Sequence, residues 1–326
     1  MLQQSQGIGC TQRRTEAKDG ADIQFVPKEH RMLRREDGYF RGGRFMLEKT
    51  FLHLPGVGEK TERSLWEEGI HSWDIFCDEG RCTLPFGKKK SAALRFSLAE
   101  CREALQNCSP EFFARSLPHQ FLWRLFPDFR DCVAYLDIET TGLGGPPFDH
   151  ITTAALYDGR EVSYYVYGQD LERFRDDLQK YKILISYNGK CFDVPFINDY
   201  FGITLDQVHI DLRYLLSSLG YRGGLKGCEK KLGIGRDELD GVDGFFGVLL
   251  WEEYKRKNDL KALETLLAYN IADAVNLEAL MVKAYNLKLL ETPFLELRLP
   301  LPSSPALPFS PHAECICRLR EIHGIF

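Results

Sequence analysis

Short apolar runs in the middle of the chain have the length and composition of β-strands. Three of them come first, and the turn Asp158-Gly159 joins the second to the third, which predicts a hairpin; the runs cover residues 132–138, 151–157 and 161–167. A polar helical stretch over 170–180 then leads into another apolar run at 183–187. The hydrophobic pattern therefore predicts a sheet whose first three strands form a meander.

After residue 190 the spacing of apolar positions changes to that of helices. Helical stretches are predicted over four segments, namely 192–200, 211–219, 225–232 and 260–289. Three meandering strands, a helix, a strand and then helices is the element order of an RNase H-like fold. We therefore predict an α/β domain in which helices flank a mixed sheet.

Four segments are expected along the chain. Residues 1–45 mix Gln, Arg, Asp and Gly without a sustained apolar period, which predicts a disordered extension. Residues 46–117 are expected to form a small all-α module, and residues 118–292 the α/β domain. Residues 293–326 contain prolines that exclude a long helix or a central strand, at Pro300, Pro302, Pro305, Pro308 and Pro311.

Composition narrows the class of protein. A content of 44% hydrophobic and 27% charged residues is ordinary for a globular chain. There is no apolar run of about 18 residues and no apolar signal at the start, so we expect a cytoplasmic protein without membrane contacts. The ten cysteines lack a CxxC…CxxC pattern and are expected to be free thiols, with an iron–sulfur cluster as the less favoured alternative.

The most informative acidic residues are Asp137 and Glu139, two positions apart at the end of the first predicted strand. Side chains alternate along a strand, so both point to one face while Ile138 points to the core. A cation usually compensates two like charges on one face, and hard oxygen ligands suit Mg²⁺ or Mn²⁺. Because bound cations reverse the local sign, the net charge of −5 does not exclude a nucleic-acid partner. A solvated strand end is the alternative for this pair taken alone.

Two later segments carry further candidates. Asp193 follows the strand at 183–187 through a glycine-containing turn and opens a predicted helix, where the helix dipole alone also favours a carboxylate. Tyr269 and Asp273 are four positions apart, about one helical turn, and so share a helix face. An exposed Asp on an amphipathic helix is the alternative for this segment.

Taken in order, these three segments resemble the exonuclease motifs of the DEDD superfamily, in its tyrosine-bearing subgroup. Over residues 118–290 the chain most closely resembles the YprB-type RNase H-like family, and its most specific stretch is Asp137-Ile138-Glu139-Thr140-Thr141-Gly142-Leu143. The resemblance implies that Tyr269 orients or helps to deprotonate the attacking water. It also implies that two divalent ions, Mg²⁺ or Mn²⁺, are bound by Asp137, Glu139, Asp193 and Asp273. Two such ions would activate the water and stabilise the leaving 3′ oxygen.

Several neighbouring residues are candidates for contact with the substrate. By the same resemblance, the terminal nucleotide would meet Thr140, Gly142 and Leu143. Asn188 and Phe192 are candidates for a sugar or a base, and Lys226 for a phosphate. A core position for Phe192 and a solvated Lys226 are the alternatives. Asp211 is expected either near the site or as a helix cap.

A second resemblance concerns residues 51–61, where Pro55-Gly56-Val57-Gly58 between apolar residues resembles a helix-hairpin-helix element. Such a turn exposes backbone N–H groups that hold DNA phosphates, here with contacts from Gly56, Gly58, Lys60 and Thr61. An ordinary turn between two helices is the alternative. Eleven Lys+Arg balance eleven Asp+Glu between residues 44 and 116, and Lys88-Lys89-Lys90 is the basic run. Binding through this module is therefore expected to be weak and salt-sensitive.

These patterns predict a metal-dependent 3′→5′ exonuclease that acts on single-stranded or 3′-ended DNA. RNA is the second choice, because a helix-hairpin-helix element more often holds the DNA backbone and no feature clearly reads the 2′-OH. A non-catalytic nucleic-acid-binding protein with the same fold is a different hypothesis, which the complete set of four acids and Tyr269 disfavours. A structure-specific endonuclease is a third, and it would cleave circular single strands.

Overall fold

The computed structural model describes residues 46–144, 149–235, 239 and 242–324. Residues 1–45, predicted to be a disordered extension, lie outside the described residues. Within the described part of the chain, no helix has the length and apolar character needed to cross a bilayer.

The chain before the sheet is helical, as predicted. It contains a short 3₁₀ helix, Leu47–Lys49, followed by α1 (Glu59–Glu67), α2 (Trp73–Cys77), α3 (Lys88–Gln106) and α4 (Pro110–Ala114), and then by two more 3₁₀ helices, His119–Leu125 and Arg130–Cys132. Glu62 of α1 forms a buried ion pair with Arg124 at 2.9 Å and accepts the backbone N–H of Phe51 at 2.6 Å. Removing one partner would leave the other charge buried and unpaired, at a cost of about 3–5 kcal/mol. This pair therefore holds α1 and the segment before it, where the helix-hairpin-helix element is predicted, against the 3₁₀ helix that contains Arg124.

The centre of the structure is a five-stranded mixed sheet with the order β3-β2-β1-β4-β5. Its strands are β1 (Val133–Thr140), β2 (Ile151–Tyr157), β3 (Val162–Val166), β4 (Ile183–Ser186) and β5 (Val208–Asp211). β1 pairs antiparallel with β2, and β2 with β3, whereas β4 is parallel to both β1 and β5. The predicted meander and the α/β class are confirmed. The hydrophobic pattern does not predict β5, which is only four residues long and contains the polar His209.

Helices cover both faces of this sheet. They are α5 (Leu171–Leu178), α6 (Asp193–Phe201), α7 (Leu212–Ser218), α8 (Gly224–Lys231), α9 (Gly244–Lys257) and α10 (Leu260–Lys288). α5 and α6 pack on one face, while α10 crosses β1 and β2 on the other with α9 beside it. α9 is missing from the sequence-based prediction, because its first turns contain Gly244 and Gly247 and lack a simple apolar stripe.

Alternate residues of β1 enter two separate cores. Ala134, Leu136 and Ile138 pack in the smaller core under α5 and α6. Val133 and Tyr135 belong to the larger core, which also contains α10 and the N-terminal helices. The next two residues on this second face of β1 are acidic, and they lie between the strand and α10.

The C-terminal segment folds back over the rest of the structure. Residues 298–312 form neither helix nor strand, in accord with their prolines, and an unpredicted helix, α11 (Ala313–His323), follows them. Phe294 packs against Trp66 with ring centroids 5.2 Å apart, and Phe309 packs against Tyr164 of β3 at 5.0 Å. The proline-rich segment is thus part of the packed structure.

Candidate functional site

Three carboxylates converge between β1 and α10. Asp137 and Glu139 point to the α10 face of β1, while Ile138 is buried in the opposite core, as the alternation of strand side chains predicts. Asp273 comes from the middle of α10 and meets them there. One carboxylate oxygen from each of the three residues lies within 4.8 Å of the others. The structure therefore joins residues that are far apart in the chain into one oxygen-rich group.

Asp193 stands next to this group. It is the first residue of α6, as predicted, and its Oδ1 accepts the backbone N–H of Ile138 at 3.3 Å. That hydrogen bond holds the carboxylate beside the strand that carries Asp137 and Glu139. Burial is the main reason that the pKa of Asp193 is raised to about 7, and the negative charges of Asp211 and Asp273 add to the rise.

Burial and mutual repulsion disfavour the charged forms of the other acids as well. The pKa of Asp137 is raised well above its ordinary value by burial, and then by the charges of Asp273, Glu139 and Asp193. The pKa of Glu139 is also raised well above the usual range, by burial and by Asp273, although Lys226 opposes the rise. Such a group is stable in its charged form only with a cation. A set of hard carboxylate oxygens fits Mg²⁺ or Mn²⁺ in type.

Asn270 is a site residue that the sequence-based prediction missed. It is fully buried on α10, and its Nδ2 donates hydrogen bonds to the carbonyl oxygen of Asp137 at 3.1 Å and to its Oδ2 at 2.7 Å. These bonds hold the Asp137 carboxylate in one orientation and oppose the rise of its pKa. One signal in the sequence could have identified Asn270. It stands next to Tyr269 among the apolar positions of a predicted helix, and a buried amide needs a hydrogen-bond partner.

Gly247 of α9 is a second missed residue. A Cβ atom built on Gly247 would lie 2.8 Å from Oε2 of Glu139. Only a glycine leaves room for the carboxylate at this point, so Gly247 allows α9 to pack directly against the acidic group. A glycine inside an apolar helical stretch was the signal in the sequence.

Tyr269 and Lys226 form a pair at the edge of the acidic group. Tyr269 is buried one helical turn before Asp273, as their spacing predicts. The Nζ of Lys226 donates a hydrogen bond to the Tyr269 hydroxyl at 2.6 Å and lies 4.1 Å from the centre of its ring. Lys226 also donates to the carbonyl oxygen of Val242. The ammonium group is therefore held at Tyr269, with Glu139 near enough to feel its charge.

Asp211 organises the turn between β4 and α6. Its carboxylate accepts backbone N–H groups from Asn188 at 2.8 Å, Lys190 at 3.0 Å and Arg213 at 3.0 Å. The last of these bonds caps α7, so the predicted capping role is observed. The first two shape the turn in which Asn188 has a left-handed backbone with φ of 67°. Asp211 thus positions the segment that delivers Asp193.

The acidic group lies in a cleft of ≈ 1390 Å³. Four of the predicted substrate-contact residues line it, namely Thr140, Gly142, Asn188 and Phe192. Phe192 is 43% exposed, which favours the predicted surface role over a core position. Leu143 is 63% exposed but does not contribute to the described lining. Lining residues that the prediction missed include Arg213 and Tyr214 of α7, Arg222 before α8, and Phe245 and Val248 of α9.

The predicted hairpin turn has the backbone that its glycines suggest. Gly56 has a left-handed φ of 69°, and Gly58 is the N-cap residue directly before α1. The Nζ of Lys90 lies 3.3 Å from the carbonyl oxygen of Gly56, so one lysine of the basic run stands at the turn. Lys60 and Thr61 lie in the first turn of α1. The segment before the turn is only the 3₁₀ helix Leu47–Lys49, and the helix-hairpin-helix assignment stays a prediction.

The domain that contains this site is similar to a known protein family. Residues 134–285 match the family model of the RNase H superfamily, a span that runs from β1 to α10 and includes all four acids. The sheet and its helices have an RNase H-like fold. This match supports a nuclease, a class of enzyme that acts on nucleic acid and uses divalent metal ions, and the acidic cluster is a group that could hold such an ion.

Among solved structures, the family B DNA polymerase from the hyperthermophilic archaeon Pyrobaculum calidifontis matches 48% of this chain with 17% sequence identity and a TM-score of 0.38. The match covers 24% of the polymerase chain. No curated protein matches the sequence.

Proposed function

We propose that the protein is a 3′→5′ exonuclease with two divalent metal ions, Mg²⁺ or Mn²⁺. The observation that carries the proposal is the convergence of Asp137, Glu139 and Asp273 within 4.8 Å, with Asp193 beside them. A protein that only bound nucleic acid would have no use for this much buried negative charge facing an anionic substrate. The open cleft supports a single-stranded 3′ end as the substrate, because exposed rings such as Phe192 can stack on unpaired bases.

The four acids would hold the metal ions, and the residues around them keep the acids in place. When bound, two such ions supply an activated water and stabilise the leaving 3′ oxygen. Asn270 holds the carboxylate of Asp137, and the N–H of Ile138 holds that of Asp193. These fixed orientations reduce the reorganisation that the site would otherwise undergo during the reaction.

Tyr269 would position the attacking water. A phenol has an ordinary pKa near 10, so positioning is more plausible chemistry than proton abstraction at neutral pH. The hydroxyl oxygen of Tyr269 accepts a hydrogen bond from Lys226 at 2.6 Å, so the hydroxyl group would act toward the water as a hydrogen-bond donor. Lys226 thereby acts through Tyr269, in addition to any direct contact with a phosphate.

DNA is the proposed substrate, with the hairpin turn at Gly56 as a weak additional grip on the backbone. Lys90 at that turn adds a positive charge in favour of this role. Parallel digestion of matched DNA and RNA oligonucleotides tests the preference. Faster loss of RNA would reverse the assignment of the substrate while leaving the chemistry intact.

The central experiment is digestion of a 5′-labelled single strand with Mg²⁺ or Mn²⁺, compared with EDTA and with Asp137→Asn. A ladder of products shortened from the 3′ end, absent in both comparisons, is expected. Asp199→Asn is the matched control, because Asp199 is exposed and lines the same cleft outside the acidic group. Retained binding without digestion of DNA or RNA would point to a non-catalytic protein, and cleavage of circular strands to an endonuclease.

A further inference from the structure

A second groove of ≈ 630 Å³ runs along the open edge of the sheet. β5 is the edge strand, and its residues Val208 and His209 form part of the groove. Arg115, which directly follows α4, and His119, which begins the next 3₁₀ helix, also line the groove. The groove therefore lies between the N-terminal helices and the RNase H-like domain.

Exposed Lys and Arg residues outnumber the acidic residues of this groove by three to two. Arg115, Lys182 and Lys190 all line it and are exposed, whereas its acidic residues are Glu111 and Asp206. The net positive lining contrasts with the net charge of −5 for the whole chain. Lys182 is held in place, since its Nζ donates to the carbonyl oxygen of Cys108 at 2.6 Å.

One end of the groove adjoins the acidic cleft. Lys190 lines the groove, while Asn188, two positions before it, and Cys191, directly after it, line the cleft. The turn between β4 and α6 therefore faces both spaces, and Asp211 fixes its backbone. A strand that leaves the cleft over this turn meets Lys190 first.

A hydrogen bond links the wall of the groove to the start of α1, next to the hairpin turn. His119 lines the groove, and its neighbour Gln120 donates a hydrogen bond to Oε1 of Glu59 at 3.0 Å. Glu59 is the first residue of α1, directly after Gly58. The groove thus connects two regions that are about 130 positions apart in the chain, the predicted phosphate-binding turn and the turn that delivers Asp193.

We infer that this groove binds the sugar–phosphate backbone of the substrate on the 5′ side of the nucleotide being removed. The inference rests on the proposed nuclease function and adds the path of the strand, from the cleft over Lys190 to the hairpin turn. Lys and Arg hold phosphates without reading bases. Apart from two histidines, Tyr181 is the aromatic residue of the described lining, and it is only partly exposed, so contacts go to the backbone rather than to stacked bases.

The test uses the triple variant Arg115→Gln/Lys182→Gln/Lys190→Gln, in an Asp137→Asn background that prevents digestion. Fluorescence anisotropy at several salt concentrations measures binding of a trinucleotide, and of a strand long enough to reach the hairpin turn. For the long strand, the slope of log affinity against log salt should fall by about 2, because each phosphate contact contributes roughly 0.7 for single strands. Binding of the trinucleotide should not change.

Two further variants keep this result interpretable. Arg115→Gln/Lys190→Gln retains the Lys182 hydrogen bond and should lower the slope by about 1.4. The matched control replaces three exposed lysines outside the groove by Gln, namely Lys230, Lys255 and Lys261, and should leave the slope unchanged.

The outcomes separate the groove from the nuclease function. An unchanged slope in both groove variants would overturn the proposal that the groove binds the strand, even if the wild-type protein digests the trinucleotide. An equal fall of the slope in the lysine control would overturn it as well. A slope that falls only in the groove variants supports the proposal that the groove binds the sugar–phosphate backbone. If that fall accompanies a wild-type protein that digests neither strand, the nuclease proposal fails while the backbone-binding path stands.

Discussion

The two faces of β1 are chemically opposite in the second half of the strand. On one face, Leu136 and Ile138 pack against apolar side chains under α5 and α6, where burial stabilises the fold. On the other, Asp137 and Glu139 face α10, where burial raises their pKa values and opposes their charge. One strand can therefore contribute both to stability and to a site, because its side chains alternate between the two faces of the sheet. The acidic face should cost stability until a cation binds there.

The first prediction compares the two faces directly. Leu136→Ala should lower the free energy of unfolding by about 2–5 kcal/mol, because it leaves a cavity in a tightly packed core. Asp137→Asn should leave the metal-free protein at least as stable as the wild type, since it removes one of several repelling buried charges. Urea unfolding in EDTA measures both. A loss from Asp137→Asn as large as that from Leu136→Ala would contradict the contrast.

The second prediction concerns pH and metal. The folded-state pKa of Asp193 is about 7 against an ordinary value of 3.8, and those of Asp137 and Glu139 are also raised. In the unfolded chain these acids release protons at lower pH, so metal-free stability should fall as pH rises from about 4 through 7. Metal requires the deprotonated acids, so its stabilisation should grow with pH and reach about 2.7 kcal/mol at a hundredfold excess over Kd.

Thermal unfolding at pH 5 and pH 8, each with Mn²⁺ and with EDTA, tests this prediction. The increase in Tm on adding Mn²⁺ should be larger at pH 8. In Asp137→Asn the increase should be smaller at both pH values. Equal increases at the two pH values would show that the buried acids are not the metal ligands.

The third prediction concerns the support of Asp137. Asn270→Ala removes both hydrogen bonds to Asp137 and should lower the proposed nuclease activity about 10–100-fold, as is usual for residues that orient metal ligands. The apparent affinity for Mn²⁺ should fall with the activity. Asn276→Ala is the control, because Asn276 lies on the same helix but donates to Glu229. Similar losses from the two variants would indicate a general effect on α10 instead.

The smallest expected effect comes from the glycine at the acidic face. Gly247→Ala places a methyl group 2.8 Å from Oε2 of Glu139, so the carboxylate must shift, and activity should fall about tenfold. Gly244→Ala on the same helix has no atom within 4 Å of the added Cβ. It should keep its activity and match or exceed wild-type stability, because Ala favours a helix over Gly. Activity assays with circular dichroism melting curves separate the two variants, and full activity in Gly247→Ala would contradict the packing argument.

Features that depend on local spacing can be predicted from the sequence alone. A period of two put Asp137 and Glu139 on one face of a strand, a glycine turn put Asp193 at the start of a helix, and a spacing of four put Tyr269 and Asp273 on one helix face. The meander of the first three strands follows from the same kind of local information. Each of these features is decided by backbone geometry within a few residues.

Which of these faces meet depends on how distant elements pack in three dimensions. Asn270 matters because α10 crosses β1 next to Asp137, and Gly247 matters because α9 packs against Glu139. β5 and α11 escaped prediction because one is very short and the other follows a proline-rich stretch whose docking depends on distant partners. The edge groove likewise combines residues from α4, from β5 and from the segments on either side of β4. Such contacts arise from burying apolar surface between elements that are distant in sequence, and the period of one segment carries no information about its partner.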